Sequence, residues 1–107
     1  MPNAASRTVR VADESAVPEG AVVRCQAEGK ALAVVHSQGH WYAIEDRCSH
    51  DDGPLSEGEA VGAAIECPRH GARFSLESGK ALTPPAVLSV AIFSVTIADG
   101  GVYVEMP

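Results

Sequence analysis

The chain has 107 residues, enough for one modest core and too few for a core plus a separate catalytic domain. Ten Gly and seven Pro are more turn formers than a helical bundle tolerates. A formal net charge of −6 with no Lys/Arg-rich run speaks against nucleic acid or an anionic membrane as partner.

Strand signals run along the chain. Residues 8–12 are β-rich, and Ala16-Val17-Pro18-Glu19-Gly20 reads as a turn punctuated by Pro and Gly. Residues 21–26 alternate, with Ala21, Val23 and Cys25 on one face. Glu28-Gly29-Lys30 reads as a hairpin loop into a strand over 31–36, and Gln38-Gly39 as a tight turn into a strand over 40–46. Tyr42 and Ile44 share a face of the latter. Four strands in 46 residues predict an antiparallel meander. Residues 47–59, rich in Asp, Gly, Ser and Pro, then break the pattern. A strand is expected over 60–66, a short one over 72–76, and a turn at Glu77-Ser78-Gly79-Lys80. Thr83-Pro84-Pro85 is a stiff extended segment unsuited to a central strand. Residues 90–97 predict one long strand with Phe93, Val95 and Ile97 in phase; Asp99-Gly100-Gly101 turns the chain into a closing strand over 102–105. The expected fold is one all-β domain, 1–107: an antiparallel sandwich or barrel with an insertion at about 47–75.

That insertion holds the chemistry. Cys48-Ser49-His50 and Cys67-Pro68-Arg69-His70 each offer one thiolate and one imidazole, and sixteen residues separate the two segments. Each pair follows a predicted strand, so neighbouring strands can bring both loops to one end of the sheet. One structural zinc takes two Cys and two His. A two-iron, two-sulfide cluster of the Rieske kind takes the same donors, with two Cys on one iron and two His on the other. Zinc pairs usually have homogeneous spacings, C-x₂-C with H-x₃-H. Here each pair mixes the two residue types. Loops so poor in apolar residues need an external source of order, and metal binding supplies it.

The segments resemble the C-x-H and C-x-x-H binding loops of Rieske [2Fe–2S] proteins. Val17-Pro18-Glu19-Gly20, Trp41-Tyr42-Ala43-Ile44-Glu45-Asp46, Pro54-Leu55-Ser56-Glu57-Gly58, Cys67-Pro68-Arg69-His70-Gly71 and Gly101-Val102-Tyr103-Val104 are similar to segments of the soluble Rieske ferredoxins of bacterial oxygenase systems. The resemblance spans about residues 8–105. It implies that Cys48 and Cys67 bind an inner iron, that His50 and His70 bind an outer iron near the surface, and that Pro84-Pro85 sits in a loop over the cluster. It also implies a one-electron carrier between an NAD(P)H-dependent flavoprotein reductase and a terminal non-haem iron oxygenase. The alternative it allows is a small fixed subunit of a larger oxidoreductase, such as a nitrite-reductase-type complex.

Departures from the family place the chain within it. Rieske proteins of respiratory complexes carry an extra Cys in each loop, joined as a disulfide; the matching positions here are Gly53 and Arg69. They also place a Ser and a Tyr hydroxyl near the cluster sulfurs, where this chain has Ala72 and Phe74. Without those donors the reduced state is less stabilised, so a potential at the low end of the Rieske range, near roughly −150 mV, is expected.

The remaining residues read more simply. Cys25 is expected in the core, His36 and His40 at the surface, and Trp41 and Tyr42 in packing. The acidic pairs Asp51/Asp52 and Glu57/Glu59 read as solvated loop charge that could also steer a partner. No Gly-rich phosphate loop points to direct NAD or flavin binding. An odd count of three Cys, two in ligand-like spacings, argues against a disulfide scaffold. No secretory-type apolar run opens the sequence and no stretch approaches the ~20 apolar residues of a membrane span. A cytoplasmic monomer is therefore expected, with no membrane or nucleic-acid partner.

Overall fold

A computed structural model of the chain describes residues 7–48, 53–68, 71–83 and 88–106. Three antiparallel sheets build it. The central sheet has the order β2 (Val22–Ala27), β3 (Lys30–Ser37), β4 (His40–Glu45) and β8 (Ile92–Phe93). A second sheet lines up β1 (Arg7–Asp13), β10 (Gly101–Met106) and β9 (Val95–Ala98). The third and smallest joins β5 (Glu59–Val61), β6 (Ala64–Glu66) and β7 (Arg73–Ser75). This is the all-β architecture expected, with the small sheet supplying the insertion.

Three hairpins use the same two-residue turn. Glu28-Gly29, Gln38-Gly39 and Asp99-Gly100 each place both central residues at positive φ, between 50° and 83°. That is the type I′ geometry, whose twist matches the flanking strands. It fixes β2 on β3, β3 on β4 and β9 on β10 in the register Ala27↔Lys30, Ser37↔His40 and Ala98↔Gly101.

Three predicted elements differ. The first strand is not part of the meander: β1 pairs with β10, from Arg7↔Met106 to Asp13↔Gly101. The linker that follows, a 3-10 turn at Glu14–Ala16 and then Val17-Pro18-Glu19-Gly20, is long enough to change sheets, whereas a meander needs a tight turn. The strand expected over 60–66 is a hairpin, β5 and β6, folded at Gly62-Ala63. The long strand expected over 90–97 divides at Ser94. Its first part pairs with β4 and its second with β10. Phe93, Val95 and Ile97 nevertheless stay in phase, because all three pack on the same core. The phase was readable in the sequence; the change of hydrogen-bonding partner was not.

Strand β3 explains the layering. Leu32, Ala33, Val34 and Val35 are all fully buried, so both of its faces are covered and it reads as an unbroken apolar run. Leu32 and Val34 face one core, with Val17, Cys25, Val102, Val104 and Met106. Ala33 and Val35 face the other, with Ile44, Leu55, Ile65, Phe74 and Leu76. Burying a Leu or Val side chain is worth about 1.5–3 kcal/mol. One strand therefore contributes to two cores at once.

Candidate metal centre

The second of these cores holds Cys48 and Cys67. Strand β4 runs through Glu45 into Asp46, Arg47 and Cys48; β6 ends at Glu66 and delivers Cys67. Both cysteines are buried and neither is in a disulfide. The two following loops close alike. The Cys48 N–H donates to the Gly53 carbonyl at 2.8 Å, and the Cys67 N–H to the Ala72 carbonyl at 2.7 Å, five residues on in each case. Gly71 N–H donates back to the Cys67 carbonyl at 3.0 Å, tightening the second loop.

The two segments are held against each other through Gly58. Leu55–Glu57 form a 3-10 turn after the first loop, and Gly58 N–H donates to the Leu55 carbonyl at 2.9 Å. A Cβ built on Gly58 would overlap the carbonyl oxygen of Glu66, the residue before Cys67. The exit of the first loop thus rests on the backbone that delivers the second cysteine, at a separation only glycine permits. The hydroxyl of Ser37 also donates to the Gly62 carbonyl at 2.8 Å, tying the end of β3 to the β5–β6 hairpin.

The other wall comes from residues after β7. Phe74 bridges to Ala81, Ser75 N–H donates to the Lys80 carbonyl at 2.9 Å, and Leu82 N–H to the Arg73 carbonyl at 2.7 Å. Arg73 N–H donates to Thr83 Oγ1 at 2.9 Å, and its side chain pairs with Glu66 at 2.8 Å across β6 and β7. Val90 N–H then donates to the Gly79 carbonyl at 2.8 Å, so both ends of the segment between are pinned.

Of the sequence-predicted site residues, the structure brings Cys48 and Cys67 into one core. His50, His70, Asp51, Asp52, Arg69, Pro84 and Pro85 lie outside the described residues. Ala72 and Phe74 are buried in the same core as the two thiols. Cys25 lies in the other core, in phase with Val23, and burial pushes its thiol pKa up. His40 is exposed. His36 is not the free surface residue expected. It is half-buried, stacks on Trp41 with ring centroids 4.0 Å apart, and has Nδ1 3.0 Å from the Val17 carbonyl oxygen. Glu57 and Glu59 are exposed, as expected, but they do not lie in a loop: Glu57 ends the 3-10 turn and Glu59 begins β5.

Sequence reasoning passed over Asp46, which read as the end of a strand. Its carboxylate is buried and accepts from Ser56 N–H at 2.6 Å and from the Ser56 hydroxyl at 2.7 Å. Arg24 Nε lies 3.5 Å away. The signal was an acidic residue two before Cys48 and a Ser eight after it.

The profile of the Rieske [2Fe–2S] domain matches residues 7–94. The chain belongs to the Rieske family. Its relatives include the 3-phenylpropionate/cinnamic acid dioxygenase ferredoxin subunit of Escherichia coli (strain K12), 38% identical over 92 residues, or 85% of this chain and 86% of that one. Among solved structures it is similar to the ferredoxin of Sphingomonas yanoikuyae B1, with TM-score 0.87 and 31% identity over 94% of this chain and 100% of that one. It is also similar to a chain in the complex of reduced oxygenase and oxidized ferredoxin in carbazole 1,9a-dioxygenase, with TM-score 0.83 and 35% identity over 91% of each chain. This Rieske protein is an electron carrier, and its cofactor is one [2Fe–2S] cluster. The family decides between the two metals that the donor set left open. The described half of the donor set fits: two buried thiols outside any disulfide, in loops closed by the same backbone bond. Among the described residues no helix is long and apolar enough to cross a membrane.

Proposed function

We propose that the chain accepts single electrons from an NAD(P)H-dependent flavoprotein reductase and passes them to a terminal non-haem iron oxygenase. The observation that carries the reading is the pair of matched loops placing Cys48 and Cys67 in one apolar core at the ends of β4 and β6. In this reading Cys48 and Cys67 hold one iron, and His50 and His70 hold the other and form the side offered to partners. Residues at about 47–75 act as the cluster-binding part of a single domain spanning 1–107. When bound, the group supplies reversible one-electron chemistry at a potential set by its ligands and by hydrogen bonds to its sulfurs. The protein's part is to supply the thiolates and to keep water from them with Leu55, Ile65, Phe74 and Leu76. Imidazole ligands are neutral where thiolates are anionic, so this donor set eases reduction relative to four cysteines.

The names of the relatives support the acceptor. The Escherichia coli protein is a dioxygenase ferredoxin subunit, and the carbazole system is known as a complex of oxygenase with ferredoxin. The net charge of −6 suits transient docking on basic patches. A monomer in the cytoplasm fits a carrier that must visit two partners in turn.

Reconstitution tests the reading. Purified reductase, this protein and a terminal oxygenase are combined, and NAD(P)H oxidation is followed with and without each component. Turnover that needs all three is expected. Equal turnover when this protein is left out would overturn the reading. Size exclusion of the native protein is expected to give a free monomer; a permanent stoichiometric partner would make it a fixed subunit instead.

A further inference from the structure

We infer that Asp46 is a positioning residue for the first ligand loop, acting through Ser56 to hold Cys48 in place. The inference rests on the reading that Cys48 is a cluster ligand. A carboxylate fully withdrawn from water is unfavourable unless its lone pairs are used. Asp46 uses both oxygens: Oδ1 accepts from Ser56 N–H at 2.6 Å and Oδ2 from the Ser56 hydroxyl at 2.7 Å, with Arg24 as counter-charge at 3.5 Å. Bonds to an ionised acceptor are the strong ones.

The connectivity gives these bonds their purpose. Asp46 N–H donates to the Ala31 carbonyl at 3.1 Å, so its backbone is fixed to the central sheet. Its side chain reaches across ten residues to the exit of the loop. Cys48 and the Cys48 N–H to Gly53 bond lie inside the ring so closed. Ser56 belongs to the 3-10 turn that leads to Gly58 and on to Glu66, beside Cys67. One buried carboxylate therefore sets the first loop's span and its seat against the second. Among the described residues the second loop has a weaker counterpart: Glu66 also precedes its cysteine, but its pair with Arg73 is about two-fifths exposed on both sides. Exposed pairs contribute little.

The test uses holo-protein purified anaerobically, with cluster release into excess iron chelator followed by loss of visible circular dichroism. Asp46→Ala is expected to release iron about 10–100-fold faster than wild type, the usual effect of removing a group that orients a metal ligand. Ser56→Ala is expected to fall between, and Ser56→Thr, which keeps the hydroxyl, to release at the wild-type rate. The Asp46→Ala/Ser56→Ala double variant is expected to be no faster than Asp46→Ala, since the hydroxyl acts only through that carboxylate. Val104→Ala, in the other core, supplies a general loss of stability for comparison. Release from it as fast as from Asp46→Ala would mean loosening of the whole fold and would overturn the inference, as would wild-type release from Asp46→Ala. If Asp46→Ala does not fold, Asp46→Asn, isosteric and keeping one acceptor, gives the same comparison. Cys48→Ala separates the two readings. A full complement of iron and sulfide in that variant overturns the ligand assignment. Loss of the cluster there, beside wild-type release from Asp46→Ala, overturns the positioning role alone.

Discussion

Replacing Gly58 by Ala tests how closely the two cysteine-bearing segments are packed. Gly58 has φ −90° and ψ −166°, a conformation any residue adopts, so the substitution carries no backbone strain of its own. Its effect is steric. The new Cβ would overlap the Glu66 carbonyl oxygen and would also lie 3.0 Å from the Glu66 carbonyl carbon and 3.2 Å from the Leu55 carbonyl oxygen. All three are backbone atoms, so no side chain can swing away. The 3-10 turn and β6 must separate by about 1.5 Å or more to restore ordinary van der Waals distance. Overpacking of this kind costs about 1–3 kcal/mol, and losing the Gly58 N–H to Leu55 bond adds about 1 kcal/mol. A loss of about 3 kcal/mol is expected, a large part of a total that is typically about 5–15 kcal/mol. Gly29→Ala is the control. Gly29 has φ +83° and nothing within 4 Å of its would-be Cβ, so it bears strain alone, about 1–2 kcal/mol. Thermal unfolding by far-UV circular dichroism and the iron and sulfide content after purification check the pair. Gly58→Ala should be the less stable variant and lose cluster; Gly29→Ala should keep it. Equal stability of the two, with full cluster in Gly58→Ala, would refute the close approach.

Three further outcomes follow from the site and its surroundings. Ala72→Ser and Phe74→Tyr each place a hydroxyl in the core that holds the two thiols, and each should raise the wild-type midpoint, expected at roughly −150 mV. If the added bond is stronger in the reduced state by about 1–2 kcal/mol, the shift is roughly 40–90 mV, at about 59 mV per tenfold for one electron; protein-film voltammetry showing no rise in either variant would remove both residues from the cluster's surroundings. Cys25→Ala should retain full iron and sulfide, while Cys67→Ala should lose them, because Cys25 lies in the other core. The Glu28 carboxyl is held below the ordinary carboxylate range by the hydrogen bond from Arg7, and Glu19 by bonds from the Gly39 and Gln38 amides. A depressed folded-state pKa stabilises above the unfolded value and loses that effect as pH falls through the folded one. Glu28→Gln should therefore lower the unfolding midpoint at neutral pH and match wild type in acid, and a difference that instead grew on acidification would reverse the sign.

The legible part of this fold was the part governed by local rules. Glu28-Gly29 and Gln38-Gly39 read as hairpin turns because their glycines accept positive φ without steric cost, and the alternation of Val23 and Cys25 needs only one buried face. The candidate ligand pairs stood out in the sequence because a thiol and an imidazole two or three residues apart, occurring twice, suit metal coordination. What escaped depended on contacts distant in sequence. Nothing in residues 7–13 names β10 as their partner, nor does the run through Ser94 disclose that it moves from β4 to β10. Asp46 looked like a strand terminus because its partner, Ser56, lies across the loop.

The same distinction has a mechanical consequence. Strand β3 sends Leu32 and Val34 into one core and Ala33 and Val35 into the other, so it separates the packing around the thiols from the packing of the β1–β10–β9 sheet. A methyl group lost from the core beyond β3 is expected to leave Cys48 and Cys67 in place, whereas Gly58, Asp46 and Ser56 lie on the covalent and hydrogen-bonded path between them. Sensitivity of the site should therefore follow that path and not burial. Val104 is as buried as Leu55, yet only Leu55 shares the core of the thiols and the turn that seats one loop on the other.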